Sequence, residues 1–164
     1  MELNFYIIIL LLIIVLLLIL IALLFRKAPE FPFEKVDSLM TKTELNFYRV
    51  LNQCIDENTL LFSKVRMADI ITVIKGSENW RGHFNKIQAK HVDFLLCDSE
   101  SIEPLLIIEL DDKSHDRPDR IARDEFVDSA MEAAKLDIIH IKVQDDYDQD
   151  SLKKLIFEYL EEAA

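Results

Sequence analysis

An uncharged stretch of 21 apolar residues, 5–25, constrains this chain more than any other feature. At a rise of about 1.5 Å per residue, a helix of this length spans ~31 Å, close to the ~30 Å hydrocarbon core of a bilayer. The stretch therefore predicts one N-terminal transmembrane helix, within an anchor that covers residues 1–27. We expect the chain to contact the membrane through residues 5–25.

A cleaved signal peptide is the alternative for the same stretch. It is disfavoured because no base precedes the apolar run, the run is longer than a usual signal core, and no small-residue cleavage site precedes Arg26. Arg26 and Lys27 follow the run, whereas Glu2 is the charged side chain before it. By the positive-inside rule, we expect a single pass with the C-terminal domain in the cytoplasm.

The rest of the chain has the composition of a globular domain. Residues 28–37 contain two prolines and no helical periodicity, which predicts a short tether before a domain at 38–164. The net charge of −11 opposes nonspecific attachment to nucleic acid. Cys54 and Cys97 fit no zinc spacing and are expected in the core, and two glycines are too few for a phosphate-binding loop.

The hydrophobic periodicity of the domain predicts a first helix capped at Thr43, then several strands, a helix, a strand and a last helix. A helix that crosses over between two strands favours a parallel pair. We therefore expect an α/β fold, a mixed sheet flanked by helices. The predicted strands are 60–65, 68–74, 91–97, 104–110 and 138–143, and the later helices are 118–135 and 151–162.

Carboxylates interrupt two of these apolar strands. Asp93 lies inside HVDFLLC, and Glu109 ends the run LLIIE, with Asp111 two residues further on the same strand face. A buried ionised carboxylate is costly unless it is paired or binds a metal, so adjacent strands could gather the three acids around one hard cation. The alternative is that Asp93 and Glu109 form salt bridges with Lys90 or Arg123.

Asp93 and the segment 107–128, IIELDDKSHDRPDRIARDEFVD, resemble the PD-(D/E)XK nuclease superfamily. The likeness is closest to the small bacterial branch of very-short-patch repair endonucleases and to an uncharacterised bacterial family in that superfamily. It covers roughly residues 38–160. The resemblance implies a restriction-endonuclease-like fold and hydrolysis of phosphodiester bonds in nucleic acid, with DNA as the expected substrate. With the N-terminal anchor, it implies a place in the bacterial inner membrane.

The resemblance also implies roles for individual residues. Asp93 and Glu109 match the metal-binding acids, and Glu44 in the first helix matches an acid that often joins the site, so Mg²⁺ or Mn²⁺ is the implied cofactor. The usual lysine is missing, and Asp111 stands in its place. Either Asp111 adds to metal binding while His115 transfers protons, or catalysis is weakened. Lys113 and Lys90 are candidate replacement bases, and a turn histidine is the alternative for His115.

Bases and aromatic residues lie together between Lys64 and His91, where Trp80 and Phe84 occur among six lysines and arginines. This loop-rich stretch could contact a nucleic-acid backbone and stack on bases. The alternative is that Trp80 covers the core and the bases are solvated. The same choice, phosphate contact or surface ion pair, applies to Arg117, Arg120 and Arg123, and His91 and His140 are expected to be core or rim histidines.

Two classes of function follow. One is a membrane-anchored, metal-dependent nuclease with Asp93, Glu109, Asp111 and His115 as catalytic residues. The other is an inactive nuclease-fold module that binds nucleic acid or a protein partner at the membrane.

Overall fold

The computed structural model describes residues 2–24, 31–111 and 118–162, and the chain divides into two units, residues 1–37 and 38–164. The first unit contains one helix, α1 (Glu2–Leu24). The side chains that are described in α1, at 5–21 and 23, are exposed. Among the described residues, no helix is long and apolar enough to cross a membrane, so the span expected over 5–25 is not confirmed.

The second unit is built on a mixed sheet, as the sequence predicted, although the described sheet has four strands and not the five expected. Its strands lie in the order of the chain, and they are β1 (Thr59–Arg66), β2 (His91–Asp98), β3 (Pro104–Asp111) and β4 (Asp137–Lys142). The pairs β1–β2 and β2–β3 are antiparallel, whereas β3 and β4 are parallel. The parallel pair is the one that a helix connects, which confirms the expected crossover.

Helices pack on both faces of this sheet. They are α2 (Lys42–Cys54), α3 (Met67–Ile70), α4 (Trp80–Gln88), α5 (Pro118–Ala134) and α6 (Gln149–Glu162). On one face, Phe47 of α2 and Ile156 of α6 pack against Phe94 and Ile108 of the sheet. On the other face, Ile87 of α4 and Met131 of α5 pack against Leu95 and Ile107. Alternation along β2 and β3 supplies both cores. Cys54 and Cys97 are buried as free thiols, one in each core.

The N-cap of the first helix of the domain lies two residues before the predicted one. Thr41, not Thr43, is the N-cap: its hydroxyl accepts the Glu44 N–H at 3.3 Å, and Glu44 Oε2 accepts the Thr41 N–H at 2.7 Å. This reciprocal pair is a capping box, which needs the acid three residues after the cap. The spacing from Thr41 to Glu44 meets that requirement, so the prediction of Thr43 was wrong.

Two further predictions of local structure were wrong between β1 and β2. Residues 68–74 do not form a strand; α3 covers Met67–Ile70, and no regular structure follows to Ile74. The apolar side chains of Ile70, Ile71 and Val73 still pack against the core, so burial alone explains their pattern. The stretch expected to be loop-rich contains α4, although Trp80, Phe84 and Ile87 have the i, i+4, i+7 spacing of a helix.

Candidate functional site

A row of four polar side chains crosses the sheet from edge to edge, and we call it the polar row. Phe94 lies opposite Ile108, and continuing this antiparallel register by one residue sets Asp93 of β2 opposite Glu109 of β3. In the same way, the pairs Ser63–Phe94 and Val65–Val92 set Lys64 of β1 opposite Asp93. His140 of β4 lies opposite Glu109. The polar row is thus Lys64, Asp93, Glu109 and His140.

Lys64 connects two acids from different parts of the chain. Its Nζ donates to Glu44 Oε1 at 2.5 Å and to Asp93 Oδ1 at 2.8 Å, and the three side chains are 28%, 16% and 20% exposed, respectively. Burial on its own would lower the pKa of Lys64, but the hydrogen bonds to Asp93 and Glu44 outweigh it and raise the pKa above its usual value. Lys64 is therefore an ammonium ion at neutral pH.

The backbone at Lys64 is unusual for a strand, with a positive φ of 56°. Leu61 packs against the core on the α2 side, whereas Val65 packs against the opposite core, although residues four apart in a regular strand share a face. The strand thus changes phase between them, at the residue that enters the site. A left-handed backbone conformation is strained for any residue other than glycine, and it persists only where the packing around that residue enforces it.

Glu44 is held in place by the helix cap as well as by Lys64. One carboxylate oxygen accepts the Thr41 N–H and the other accepts Lys64 Nζ. Burial acts to raise the pKa of Glu44, but these hydrogen bonds, from Lys64 and then Thr41, lower it below its usual value. The capping box therefore holds the ionised carboxylate of Glu44 at the edge of the sheet.

Glu109 has the most perturbed carboxyl group of the site. Burial, and then the charge of Asp93 across the strand pair, raise the pKa of Glu109 to about 8, against weaker opposing effects of Arg123 and His140. The Leu110 N–H donates to Asp93 Oδ2 at 3.2 Å, and this hydrogen bond helps to hold the Asp93 side chain in place. Two carboxyl groups thus face each other, and burial together with the charge of Asp93 favours the protonated form of Glu109.

His140 closes the polar row between two further acids. Its Nδ1 lies 3.1 Å from Asp111 Oδ1, and its Nε2 lies 3.1 Å from Asp128 Oδ1 on α5. Burial would lower the pKa of His140, but the hydrogen bonds to Asp111 and Asp128 raise it. His140 is thus a hydrogen-bonded rim histidine, in agreement with the expectation from the sequence, and its imidazole joins β3 to α5.

The polar row, apart from His140, opens into a cleft of about 860 Å³. Glu44, Lys64, Asp93 and Glu109 line it, and so do three basic side chains at its rim, Lys90, His91 and Arg123. A cleft that combines acids with surrounding cations can hold a phosphate group beside a hard cation.

The structure brings together some of the predicted site residues but not all. Asp93, Glu109 and Glu44 line the cleft, whereas Asp111 contacts His140 and does not line it. Asp93 pairs with Lys64 rather than with Lys90, and Arg123 acts on Glu109 through its charge. His115, Lys113 and Arg117 lie outside the described residues, as does the Arg120 side chain.

The chemistry of the donors decides whether a divalent cation fits. Among the described residues, no three acidic, histidine or cysteine groups are gathered so that they could hold a metal ion. Asp93 and Glu109 nevertheless form a facing pair of hard oxygen donors. Mg²⁺ commonly binds through one or two carboxylates and completes its shell with water and substrate phosphate. The residues therefore fit a two-carboxylate site, not the predicted set of four acids.

Lys64 is the residue of this candidate site that the sequence did not single out. It was one of several bases between β1 and β2, and its partners are 20 and 29 residues away in the chain. The available signal was that Lys64 lies near the end of one apolar strand and Asp93 lies within another. Strand register was needed to use it.

Comparison with known proteins gives one match. Residues 36–160 match the protein family described as "Protein of unknown function (DUF2726)". No curated protein and no solved structure matches the chain.

Proposed function

The chain belongs to the DUF2726 family, and we propose that its domain is a metal-dependent nuclease of the PD-(D/E)XK kind with a restriction-endonuclease-like fold. The observation that carries this proposal is the polar row, in which two facing carboxyl groups lie beside a lysine ammonium in a cleft with a basic rim. Phosphodiester hydrolysis needs these charges close together, because negative charge develops on the phosphoryl and leaving oxygens.

The residues of the cleft have separate roles in this proposal. Asp93 and Glu109 would hold Mg²⁺ or Mn²⁺, which would supply Lewis-acid stabilisation of the transition state and a more acidic water. Lys64, kept protonated by its two acids, would stabilise charge on the scissile phosphate instead of acting as a base. Glu44 would orient Lys64, and Arg123 would bind a neighbouring phosphate. Lys64 would thus take the place of the missing superfamily lysine.

We also propose catalytic roles for His115 and Asp111. Asp111 would act through His140, which it contacts, and not as a direct ligand. His115 would transfer protons as a general acid or base.

The test is hydrolysis by the full chain in detergent, with Mg²⁺ or Mn²⁺ and with single-stranded, duplex and mismatched DNA. We expect nicking or trimming, and we expect Asp93→Ala, Glu109→Ala and Lys64→Ala each to reduce the rate at least 100-fold, because each removes transition-state stabilisation. Lys154→Ala, at an exposed pair on α6, is the matched control and should keep the wild-type rate. Undiminished cleavage by the Asp93 variant would contradict the assignment.

One observation favours a second candidate, a module that binds without hydrolysis. Lys64 Nζ already occupies the position between Glu44 and Asp93, so its charge could satisfy the acids without any metal. Such a protein would bind nucleic acid or a protein partner through the same cleft. Calorimetry with Mn²⁺ separates the candidates: the nuclease should release heat that Asp93→Asn and Glu109→Gln abolish, and the binding module should show none.

We further propose that residues 5–25 anchor the domain in the bacterial inner membrane and leave it in the cytoplasm. The exposed apolar side chains of α1 support this. The described side chains form an unbroken apolar run at 5–21, which as a helix would span roughly 25 Å and is shorter than the hydrocarbon core of a bilayer. In the sequence, the uncharged run continues to residue 25. Resistance of the chain to alkaline carbonate extraction, and cytoplasmic activity of a reporter fused after Ala164, are the expected results. Extraction into the soluble fraction, or periplasmic reporter activity, would contradict them.

A further inference from the structure

An aromatic pair on α4 forms a flat surface near the cleft. The rings of Trp80 and Phe84 stack with centroids 5.1 Å apart and planes 7° from parallel. Phe84 packs toward the core, whereas Trp80 remains 41% exposed. Phe84 therefore covers one face of the indole, and the exposed part of Trp80 remains accessible to a ligand from solvent.

The position of this indole is fixed before any ligand arrives. Its Nε1 donates to the Val73 carbonyl at 3.3 Å, and the stacked Phe84 restricts the ring further. A ring held in this way loses little side-chain entropy when another flat group stacks on it.

Positive charge surrounds the same helix, in contrast to the acidic chain as a whole. The sequence of α4, WRGHFNKIQ, contains Arg81 and Lys86 and no acid, although Glu78 precedes it. Lys86 and Lys90 lie over the Phe126 ring, with Nζ 5.7 and 4.9 Å from its centroid. These contacts keep two ammonium groups at the C-terminal end of α4, where Lys90 also lines the cleft.

We propose that α4 is a binding surface for single-stranded nucleic acid, with an unpaired base stacked on Trp80 and the backbone led by Lys86 and Lys90 into the cleft. This proposal rests on the proposed nuclease function and names its substrate class. The nine residues of α4 place its two ends about 12 Å apart, so the stacked base belongs to a nucleotide away from the scissile one. A base inside a duplex offers no free face to the indole, whereas aromatic stacking accepts any unpaired base.

Trp80 is the only tryptophan of the chain, so its fluorescence reports on the proposed contact directly. The full chain in detergent, without divalent cations, is titrated with single-stranded DNA, single-stranded RNA, blunt duplex DNA and an abasic DNA strand. We expect single-stranded DNA, single-stranded RNA or both to quench the Trp80 fluorescence strongly. The one that quenches more strongly identifies the preferred nucleic acid. Blunt duplex and abasic strand should quench weakly. Equal quenching by the abasic strand, or none by any strand, would overturn the proposal.

Affinity for a labelled single strand provides the second measurement. Trp80→Ala should weaken binding roughly tenfold, the effect of losing one stacked base, and Trp80→Phe should restore most of it. Phe157→Ala is the control, because Phe157 is a partly exposed aromatic residue on a different helix, α6, and its removal should leave affinity unchanged. Unchanged affinity in Trp80→Ala, with normal thermal stability, would contradict the proposal.

The outcome is separable from that of the proposed function. If single strands quench Trp80 in both the wild type and Asp93→Asn but neither protein hydrolyses them with Mg²⁺ or Mn²⁺, the binding surface stands and the nuclease proposal fails. If the chain cleaves nucleic acid while no strand quenches Trp80, the binding surface is wrong and the nuclease stands.

Discussion

Lys64 of β1 and Asp93 of β2 lie opposite each other, and Lys64 Nζ donates to Asp93 Oδ1 at 2.8 Å. The same ammonium binds Glu44 of α2, so one charge joins the helix to two neighbouring strands. Asp93 and Glu44 are both partly buried, and because they share the Lys64 ammonium group, neither is an unpaired anion.

Replacing Lys64 with methionine should lower the free energy of unfolding by about 1–3 kcal/mol, because two partly buried carboxylates lose a charged donor. Urea denaturation at neutral pH measures the change. Lys154→Met, which removes an exposed i,i+4 partner of Glu158, should cost less than about 0.5 kcal/mol. Equal effects of the two substitutions would show that the Lys64 contacts contribute nothing specific.

Glu109 should make the unfolding free energy fall as pH rises. Burial and Asp93 raise its pKa to about 8 from 4.5, so between these values the folded protein holds a proton that the unfolded chain has released. The contribution is complete below pH 4.5 and is lost progressively up to pH 8. Denaturation with a chelator present should show a flatter pH profile for Glu109→Gln than for the wild type. Exposed Glu125→Gln is the control, and a wild-type profile in Glu109→Gln would argue against the raised pKa.

His140 should titrate above the usual range of a histidine. Burial lowers its pKa, but the hydrogen bonds to Asp111 and Asp128 outweigh that effect and raise it. The stabilisation is therefore present at low pH, where the imidazole is charged, and is lost as pH rises through the raised pKa. NMR titration should show a lower His140 pKa in Asp128→Asn, whereas Asp137→Asn, at the exposed start of β4, should leave it unchanged. No shift in the Asp128 variant would contradict the bridging geometry.

Thr41 and Thr43 offer a matched pair on α2. Thr41→Ala should cost about 1 kcal/mol, because the Glu44 N–H loses its acceptor, and Thr43→Ala should cost little. Thermal or urea unfolding compares them directly. If Thr43→Ala proved the more damaging change, the cap would have to be assigned to Thr43 instead.

Local patterns were sufficient for much of the fold. Apolar runs with β-branched residues predicted β2 and β3, and the helical spacing between β3 and β4 predicted the crossover and its parallel pair. The same patterns failed at 68–74, because burial of an apolar segment does not require a strand partner. The helical spacing of Trp80, Phe84 and Ile87 was itself present at α4, but the basic and polar residues between them were interpreted as a loop.

The sequence by itself determined that Asp93 and Glu109 interrupt apolar strands and that adjacent strands could bring them together. Only the tertiary structure decided which cation pairs with Asp93, because register across β1 and β2 and the capping of α2 place Lys64 between Asp93 and Glu44. It also decided that Asp111 contacts His140 while Glu109 faces Asp93. The physical reason is that residue type and spacing are local, whereas a charge finds its partner, and its pKa, through contacts between segments far apart in the chain.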